Sequence, residues 1–422
     1  MKSSRSIVFV LGLIVVFILI LPAVAQDESA IPEPMPIVDE AGYDIVNFLL
    51  LGSDTTNPQN SGRTDVILIV SVNRTAGTIA FLSIPRDLYV YIPGWQSYRI
   101  NSAYGHGETA GGEGQGIHLL KETILYNLGI QIDYYARVDF NGFKNIIDSL
   151  GGIELSVDCA IEDWRLRDPD LDPTLEDSWE MFTLPVGVHR MDSELALWYV
   201  RSRRTSSDFD RGRRQQDMMR AIWRHVRELG LLNQLPDIWQ QVTEMVKTDI
   251  TLPDMVGLIP LAVNIDTSRI VSYTFHPNIE VKPWRSPEGS SVLLPIREAI
   301  MDLERKMVIP PTESRLVREG ATVNIINASG IRGLDRVAAD RLAWEGFVPV
   351  ISNEPAPYRN YTIIYDHTGR AKGNSLGILQ RILRVNDEAV VREPDANRDY
   401  DFQVLIGGSY YSCTHGVLPP DS

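Results

Sequence analysis

The sequence predicts an α/β protein in two units: a larger domain around a mixed or largely parallel sheet, and a smaller α/β module behind it. Three observations carry that expectation. Ile45–Leu51, Val66–Val72 and Thr78–Ile84 are short apolar runs of buried-strand length, each ending near charge or a turn. Further along, strand-like runs alternate with stretches of helical spacing, the pattern of a sheet covered by helices. The proline-bearing Ile309-Pro-Pro-Thr-Glu-Ser314 then separates a second strand–helix series from the first. With 422 residues and ordinary apolar content, the chain can hold two or three packed domains.

In order, Met1-Lys-Ser-Ser-Arg5 precedes an apolar run from Ile7 to Ala25, broken only by Gly12 and Pro22. Residues 1–25 read either as a signal peptide ending at Ala23-Val24-Ala25 or as an N-terminal membrane anchor, which needs roughly 17–25 residues. Both readings keep Lys2 and Arg5 inside and make the rest of the chain extracytoplasmic. Residues 26–43, with Ile31-Pro-Glu-Pro-Met-Pro36, read as an extended linker, because proline removes donors and holds the backbone open.

The larger domain is expected over 44–307. After its three apolar strands come the loop Tyr98–Asn101 and the glycine-rich Gly105–Gly116, expected to be a flexible active-site loop. A helix Ile117–Leu128 stopped by Gly129 follows, then a strand Tyr134–Phe140 and a helix from Asn141, its cap, to Leu150. Ile153–Val157 reads as a strand and the acidic Asp158–Glu180 as loop. Asp192 can cap a helix from Ser193 to about Val200. A second helix is expected from Asp210 to Glu228, with Met218, Met219, Ile222, Trp223 and Val226 on its apolar stripe. Helical stretches near Ile238–Val246 and Leu294–Lys306 flank an extended Ile270–Phe275.

Residues 308–320 read as a linker, 321–412 as the smaller unit and 413–422 as a tail. The smaller unit has strands at Thr322–Ile326, Val348–Ile351, Tyr361–Tyr365 and Phe402–Ile406, with helices at Leu334–Glu345 and Asn374–Leu383. It lacks clustered titratable residues in its sequence and reads as a binding or spacer module. Cys159 and Cys413 either form an inter-domain disulfide in an oxidising compartment or stay as two thiols. Neither has the neighbours of a thiolate metal site.

The chemistry concentrates in Trp198–Asp217. Arg201, Arg203, Arg204, Arg211, Arg213 and Arg214 lie close together in a chain of net charge −15. Guanidinium forks match phosphate oxygens in pairs, which points to a phosphate-rich ligand; a solvated basic face is the plainer alternative. Arg211 and Arg214 would share one face of the first turn of the second helix. Cations there oppose the helix dipole, so their presence argues for a bound anion, which the helix N-terminus would itself attract.

Several motifs then fall in a recognisable order: Asn47-Phe-Leu-Leu-Leu-Gly-Ser-Asp54, Arg63-Thr-Asp65, Ser83-Ile-Pro-Arg-Asp87, Arg99-Ile-Asn-Ser-Ala-Tyr104, Val138-Asp-Phe-Asn-Gly-Phe143, Leu150-Gly-Gly-Ile-Glu-Leu155, Tyr199-Val-Arg-Ser-Arg203 and Arg211-Gly-Arg-Arg-Gln215. Over about residues 44–305 the chain resembles the LytR-CpsA-Psr (LCP) envelope family, and Val323 to Gly408 looks like the C-terminal domain that often follows it. The resemblance implies a central mixed sheet flanked by helices, with a hydrophobic tunnel for a polyprenyl chain. It implies Mg2+-assisted transfer of a glycan phosphate from a polyprenyl-pyrophosphate carrier to a hydroxyl of peptidoglycan or another envelope glycan, with pyrophosphatase as a possible side activity.

Carried over motif by motif, Asp54 and Asp65 would hold the metal. Arg63, Arg86, Arg201, Arg203, Arg211, Arg214 and Gln215 would clamp the pyrophosphate. Arg63, Arg86, Arg201 and Arg203 would also act at the reacting centre, with Asp87 as the base or as an orienting group for Arg86. This division suits phosphoryl transfer, in which guanidinium forks and a divalent ion neutralise non-bridging and leaving oxygens. Where the family usually has Arg-Ser-Asp-Thr, this chain has Arg63-Thr-Asp-Val66, which keeps the charge and carboxylate but loses a hydroxyl. Arg204 and Arg213 match no family role and default to surface solvation. The alternatives are a non-catalytic binder of the same lipid carrier or glycan, and a DNA-binding regulator. The export signal and acidic balance speak against the last, so no nucleic-acid partner is expected.

Overall fold

A computed structural model of the protein describes residues 31–54, 62–204, 207–310, 319–369 and 374–413. The expected signal or anchor at 1–25, most of the 308–320 linker and the tail past Cys413 lie outside the described residues. Ile31–Glu33, taken by themselves, are irregular and exposed.

The apolar runs become strands where expected. β1 (Ile45–Ser53), β2 (Thr64–Asn73) and β3 (Thr78–Ser83) form an antiparallel meander. β4 (Tyr89–Tyr91) and β5 (Ser97–Arg99) make a small hairpin, followed by helices α1 (Ser102–Gly111) and α2 (Gln115–Leu128). β6 (Tyr134–Asp139) returns parallel to β1, and α3 (Phe140–Ser149) leads to β7 (Ile153–Val157). The hairpin of β8 (Ile161–Leu166) and β9 (Trp179–Leu184) precedes β10 (Gly187–Met191), which pairs back onto β7. Then come α4 (Ser193–Arg201), α5 (Asp208–Glu228), α6 (Leu235–Met245), the short β11 (Lys247–Thr248), α7 (Leu252–Asn264) and β12 (Ile270–Thr274). A hairpin of β13 (Val281–Arg285) and β14 (Ser291–Pro295) and the helix α8 (Arg297–Val308) complete the domain.

The central sheet has the order β11-β6-β1-β2-β3-β12 and is mixed: β6 runs parallel to β1, β12 parallel to β3, and the other pairs are antiparallel. Strand alternation sends Leu49 and Leu51, Ile67 and Ile69, and Leu82 to one face, where Tyr104 of α1, Leu120, Ile124 and Leu128 of α2, and Ile300 and Leu303 of α8 cover them. Leu68 and Phe81 face the other way, against Met219 and Trp223 of α5 and Leu261 of α7. Each such fully buried side chain contributes on the order of 1.5–3 kcal/mol, so the three-layer stack is the main source of stability.

Four local expectations are corrected. Gly105–Gly116 is largely helical, because its glycines let α1 and α2 touch backbone to backbone: a Cβ on Gly107 would come within 2.5 Å of the Gln115 carbonyl oxygen. The cap of α3 is Asp139, whose carboxylate accepts from the Gly142 amide at 2.8 Å, and not Asn141. The acidic 158–180 region holds the β8–β9 hairpin, stabilised across its strands by Arg165–Glu180 at 2.8 Å and by Arg165 stacked on Phe182. Leu294 belongs to β14, and the last helix of the domain starts at Arg297.

The segment read as a linker is docked from Pro34 onward. Met35 is buried, its amide donates to the Tyr126 carbonyl at 2.8 Å, and Val38 donates to Gly129 at 3.0 Å.

The smaller unit is a five-stranded sheet, β15 (Thr322–Asn327), β16 (Val348–Ile351), β17 (Ile363–Asp366), β18 (Val390–Arg392) and β19 (Phe402–Ile406), in the order β16-β15-β19-β17-β18. Helices Leu334–Trp344 and Ser375–Leu383 cover its core, and Val186 and Val188 from the larger domain pack against it. A disulfide joins Cys159 to Cys413, 254 residues apart. Beside it the Ser412 hydroxyl donates to the Asp158 carbonyl at 2.7 Å. Arg224–Asp340 at 2.9 Å, an Arg336–Glu154 pair and Arg220 stacked 3.7 Å from the Trp344 ring extend the contact.

Candidate active site

The site forms where β1, β3, β6 and β12 finish and β2 starts. At that edge the β1–β2 register slips: Gly52 faces Val66 but Ser53 faces Thr64, which leaves Asp65 as the extra residue of a bulge. Asp54 follows directly on the adjoining strand. β3 runs out through Ile84, whose amide still donates to Ile67 at 2.9 Å, into the turn bearing Arg86 and Asp87.

Two polar anchors bring α5 over this turn. Gln216, fully buried, donates from Nε2 to the Ser83 hydroxyl at 2.8 Å and to the Tyr273 carbonyl at 2.9 Å. Gly212 lies so close that a Cβ would stand 3.1 Å from the Ser83 Cβ. The helix starts at Asp208 under a capping box of Ser207 and Asp210, earlier than the sequence suggested. Its first turn is therefore acidic, and Arg211 and Arg214 sit beyond it. The dipole argument for an anion site fails, because the misplaced cations are not at the helix end.

The ionic network is centred on Asp208. Its carboxylate lies 3.4 Å from Arg211 Nη2, 3.6 Å from Arg203 Nη1 and 3.8 Å from Arg86 Nε. Arg86 also donates to Asp65 Oδ1 at 2.5 Å and lies 3.6 Å from Asp87, while Arg99 Nε is 3.2 Å from Asp87 Oδ1. Burial pushes Arg211 down to about 10, with Asp208 opposing the shift. Asp87 is raised, first by burial and then by Asp208, while Arg86 and Arg99 pull it down. Arg86 itself is raised: burial, the largest influence, lowers it, and its hydrogen bond and charge pairing with Asp65 outweigh that.

Arg201 is exposed as a residue, and its guanidinium lies over the Phe140 ring, 4.1 Å from the ring centre. Burial of its guanidinium lowers its pKa, against the pull of Asp54 and Asp65. The stretch after α4 is held by Asp163, which accepts from the amides of Arg203 at 2.7 Å and Arg204 at 3.3 Å. Arg214 and Gln215 are turned toward the last turn of α4. Arg214 donates to the carbonyls of Tyr199 and Ser202, and Gln215 to Val200 at 3.2 Å. Arg213 pairs with Asp158 at 3.2 Å beside the disulfide, so it is not merely solvated. Arg63 is exposed at the entrance to β2 and, among the described residues, is not drawn into the network.

The structure thus gathers Asp65, Arg86, Asp87, Arg203 and Arg211 into one network and sets Asp54 and Arg201 beside it. It adds three residues that sequence reasoning passed over. Asp208 was hidden inside an arginine run, although its spacing of three from Arg211 on a helix signals a pair. Asp163 lay in a segment read as loop. Arg137 of β6 donates to the Ser53 hydroxyl at 3.1 Å and the Tyr104 hydroxyl at 3.0 Å, and its signal was a charge inside a strand. Ile67, Ile84, Phe209 and Phe275 line the same cleft, so the apolar layer under α1 and α2 reaches the ionic site.

A mixed-sheet α/β domain with an arginine–aspartate basin at one end of its sheet is the class of protein that this fold and site define. Residues 23–303 match the LytR_cpsA_psr family, and the chain belongs to it. Residues 320–410 match the domain described as LytR cell envelope-related transcriptional attenuator. Among curated relatives, the polyisoprenyl-teichoic acid–peptidoglycan teichoic acid transferase TagT of Bacillus subtilis is 29% identical over 245 residues, 56% of this chain and 71% of that protein. The probable cell wall biosynthesis protein LcpB of Corynebacterium glutamicum is 32% identical over 230 residues, 51% of this chain and only 50% of that protein. The crystal structure of B. subtilis TagV shares the fold, with a TM-score of 0.51 at 23% identity, covering 63% of this chain and 96% of that one.

Proposed function

We propose that this protein transfers a phosphate-linked glycopolymer from a polyprenyl-pyrophosphate carrier to a hydroxyl of peptidoglycan or another envelope glycan, outside the cytoplasm. The observation that carries this reading is the convergence of Arg86, Arg203 and Arg211 on one carboxylate position, Asp208, next to Asp65. Three guanidiniums already arranged around one anion suit a pyrophosphate, whose oxygens would compete with Asp208 for the same donors. The family membership and the transferase named among its relatives support the same assignment. A disulfide suits an oxidising compartment, and residues 1–25 would tether or export the chain.

In the reaction, the acceptor hydroxyl oxygen bonds to the phosphorus nearer the glycan, the phosphoanhydride bridge breaks, and polyprenyl phosphate leaves. Arg86, Arg203 and Arg211 would stabilise charge on the transferred and leaving phosphates, with Arg201 and Arg63 closing the rim. Arg214 and Gln215 would serve that clamp by fixing the end of α4, which carries Arg201 and leads to Arg203. Asp87, raised by burial, would accept the hydroxyl proton.

Mg2+ would be held by Asp54 and Asp65. The donor set fits: the sheet edge brings two carboxylates to neighbouring strand ends, and both act on Arg201. Among the described residues no third His, Cys, Asp or Glu completes a cluster with them, which suits an ion that takes its remaining ligands from water and phosphate oxygens. Bound there, the ion would supply charge neutralisation to the phosphates. The apolar residues Ile67, Ile84, Phe209 and Phe275 would receive the first part of the prenyl chain.

The test is transfer of labelled glycan phosphate by the purified full chain, with Mg2+ and with chelator. The expected result is Mg2+-dependent product that Asp65→Ala and Arg211→Ala abolish. Absence of both transfer and pyrophosphate cleavage with metal present would sink the proposal. Retained carrier binding without turnover would instead identify a binder.

A further inference from the structure

At the opposite end of the central sheet, where β1 begins and β2 ends, lies a second cavity of about 420 Å3. That is within the range of small-molecule sites, roughly 300–1,000 Å3. Its charged lining has one sign: Asp39, Glu40, Asp133 and Glu304 border it, and no Lys, Arg or His does. Ile45, Ile130 and Met307 supply apolar wall.

Glu304 of α8 sets this cavity apart from an ordinary acidic surface. It is 4% exposed, yet its Oε1 is buried without a hydrogen-bond partner. A buried carboxylate of that kind is strongly disfavoured unless a cation or proton accompanies it. The nearby positive charges are engaged elsewhere. Arg297, two turns back on α8, pulls on Glu304 by its charge and donates to the Pro34 carbonyl at 2.6 Å. Lys121 pairs with Asp249 at 2.9 Å and contacts the carbonyl of Asp133, and Arg74 pairs with Asp44 at 2.7 Å. Two of the carboxylates also have backbone partners: Asp133 accepts from the Asn47 amide at 2.8 Å and Asp39 from the Ala41 amide at 2.9 Å.

We propose that this cavity binds an organic ammonium ion, a primary amine on a short apolar stem, with Glu304 as its principal charge partner. An organic cation fits better than a metal ion. The carboxylates are spread around the wall, and no three His, Cys, Asp or Glu among the described residues are grouped to ligate a metal. The ammonium would face the acidic wall while its stem lies against Ile45, Ile130 and Met307.

The site should release a proton on binding. Burial pushes Glu304 up to about 8 against the pull of Arg297, and Glu40 is raised by burial, then Asp133 and Asp44. An alkylammonium, like a lysine side chain, titrates near about 10.4 and stays charged. Because the cation needs the ionised carboxylate, affinity rises with pH. For one group of pKa about 8 the gain from pH 7 to pH 9 is about tenfold.

Calorimetric titration of the full chain with n-hexylammonium chloride, and with hexan-1-ol as the neutral isostere, tests this. The expected result is one-to-one hexylammonium binding, about tenfold tighter at pH 9 than at pH 7, with hexanol weaker by tenfold or more. Glu304→Gln should remove the pH dependence and most of the affinity. A measurement on the unaltered protein stands beside the variant: at pH 7.5 the binding heat should vary with the buffer's ionisation enthalpy, reporting the released proton. Equal binding of hexanol would reduce the cavity to an apolar hole. No hexylammonium binding at pH 9, no proton release, or a folded Glu304→Gln with unchanged affinity would each overturn the site. None of these readouts depends on glycopolymer transfer.

Discussion

Arg203 and Arg214 stand eleven positions apart in one basic stretch and do opposite work. Arg203 is half-exposed and its side chain pairs with Asp208, whereas Arg214 is buried and holds two carbonyls at the end of α4. Arg203→Ala should lower transfer kcat/KM by about 10²–10³ with stability changed by no more than about 0.5 kcal/mol. Arg214→Ala leaves buried carbonyls without donors and should cost about 1–3 kcal/mol, visible in thermal melts before any kinetic assay. Asp87 gives a pH prediction. Burial raises its carboxyl above the ordinary aspartate range, so activity that needs its ionised form is lost on acidification at a higher pH than for an ordinary aspartate. The pH–rate profile should show that acid limb, and Asp87→Asn should remove it together with most of the rate. Sequence showed which arginines are present but not where each fork points. That depends on whether a carbonyl or open cleft lies within reach after folding.

At the scale of elements, the strands were legible and the glycine-rich helix was not. β1, β2 and β3 are apolar on both faces because helices cover both, so they read as uninterrupted runs. α1 is built from residues of poor helix propensity, and tertiary packing on α2 overrides that weakness. Gly107→Ala tests the explanation. Although alanine favours helix, its Cβ would meet the Gln115 carbonyl at 2.5 Å and force the two helices apart. A loss of about 1–3 kcal/mol in chemical denaturation is expected, against the gain that propensity alone predicts. The β8–β9 hairpin was missed for a related reason: acidic residues dominate its sequence, and its stability comes from cross-strand partners such as Arg165 and Glu180 that lie fifteen residues apart. α5 starts two residues earlier than expected, because Ser207 caps it and Asp210 completes the capping box from inside the first turn.

At the scale of the whole molecule, two domains share one covalent and ionic seam. The sequence left Cys159 and Cys413 open as a pair or as two thiols, since a spacing of 254 residues says nothing about proximity. The seam also explains Arg213, Arg220 and Arg224, which face Asp158, Trp344 and Asp340. Cys159→Ser with Cys413→Ser should cost about 2–4 kcal/mol. Scanning calorimetry should then resolve the C-terminal module as an earlier transition, whereas an unchanged single melt would show that the seam holds without its disulfide. The same bond makes this stretch of chain a closed ring. A protease that cuts once between residues 160 and 412 opens the ring without releasing a fragment. The nicked protein would run as one band on a non-reducing gel and as two after reduction, and it would keep both domains on the same tether.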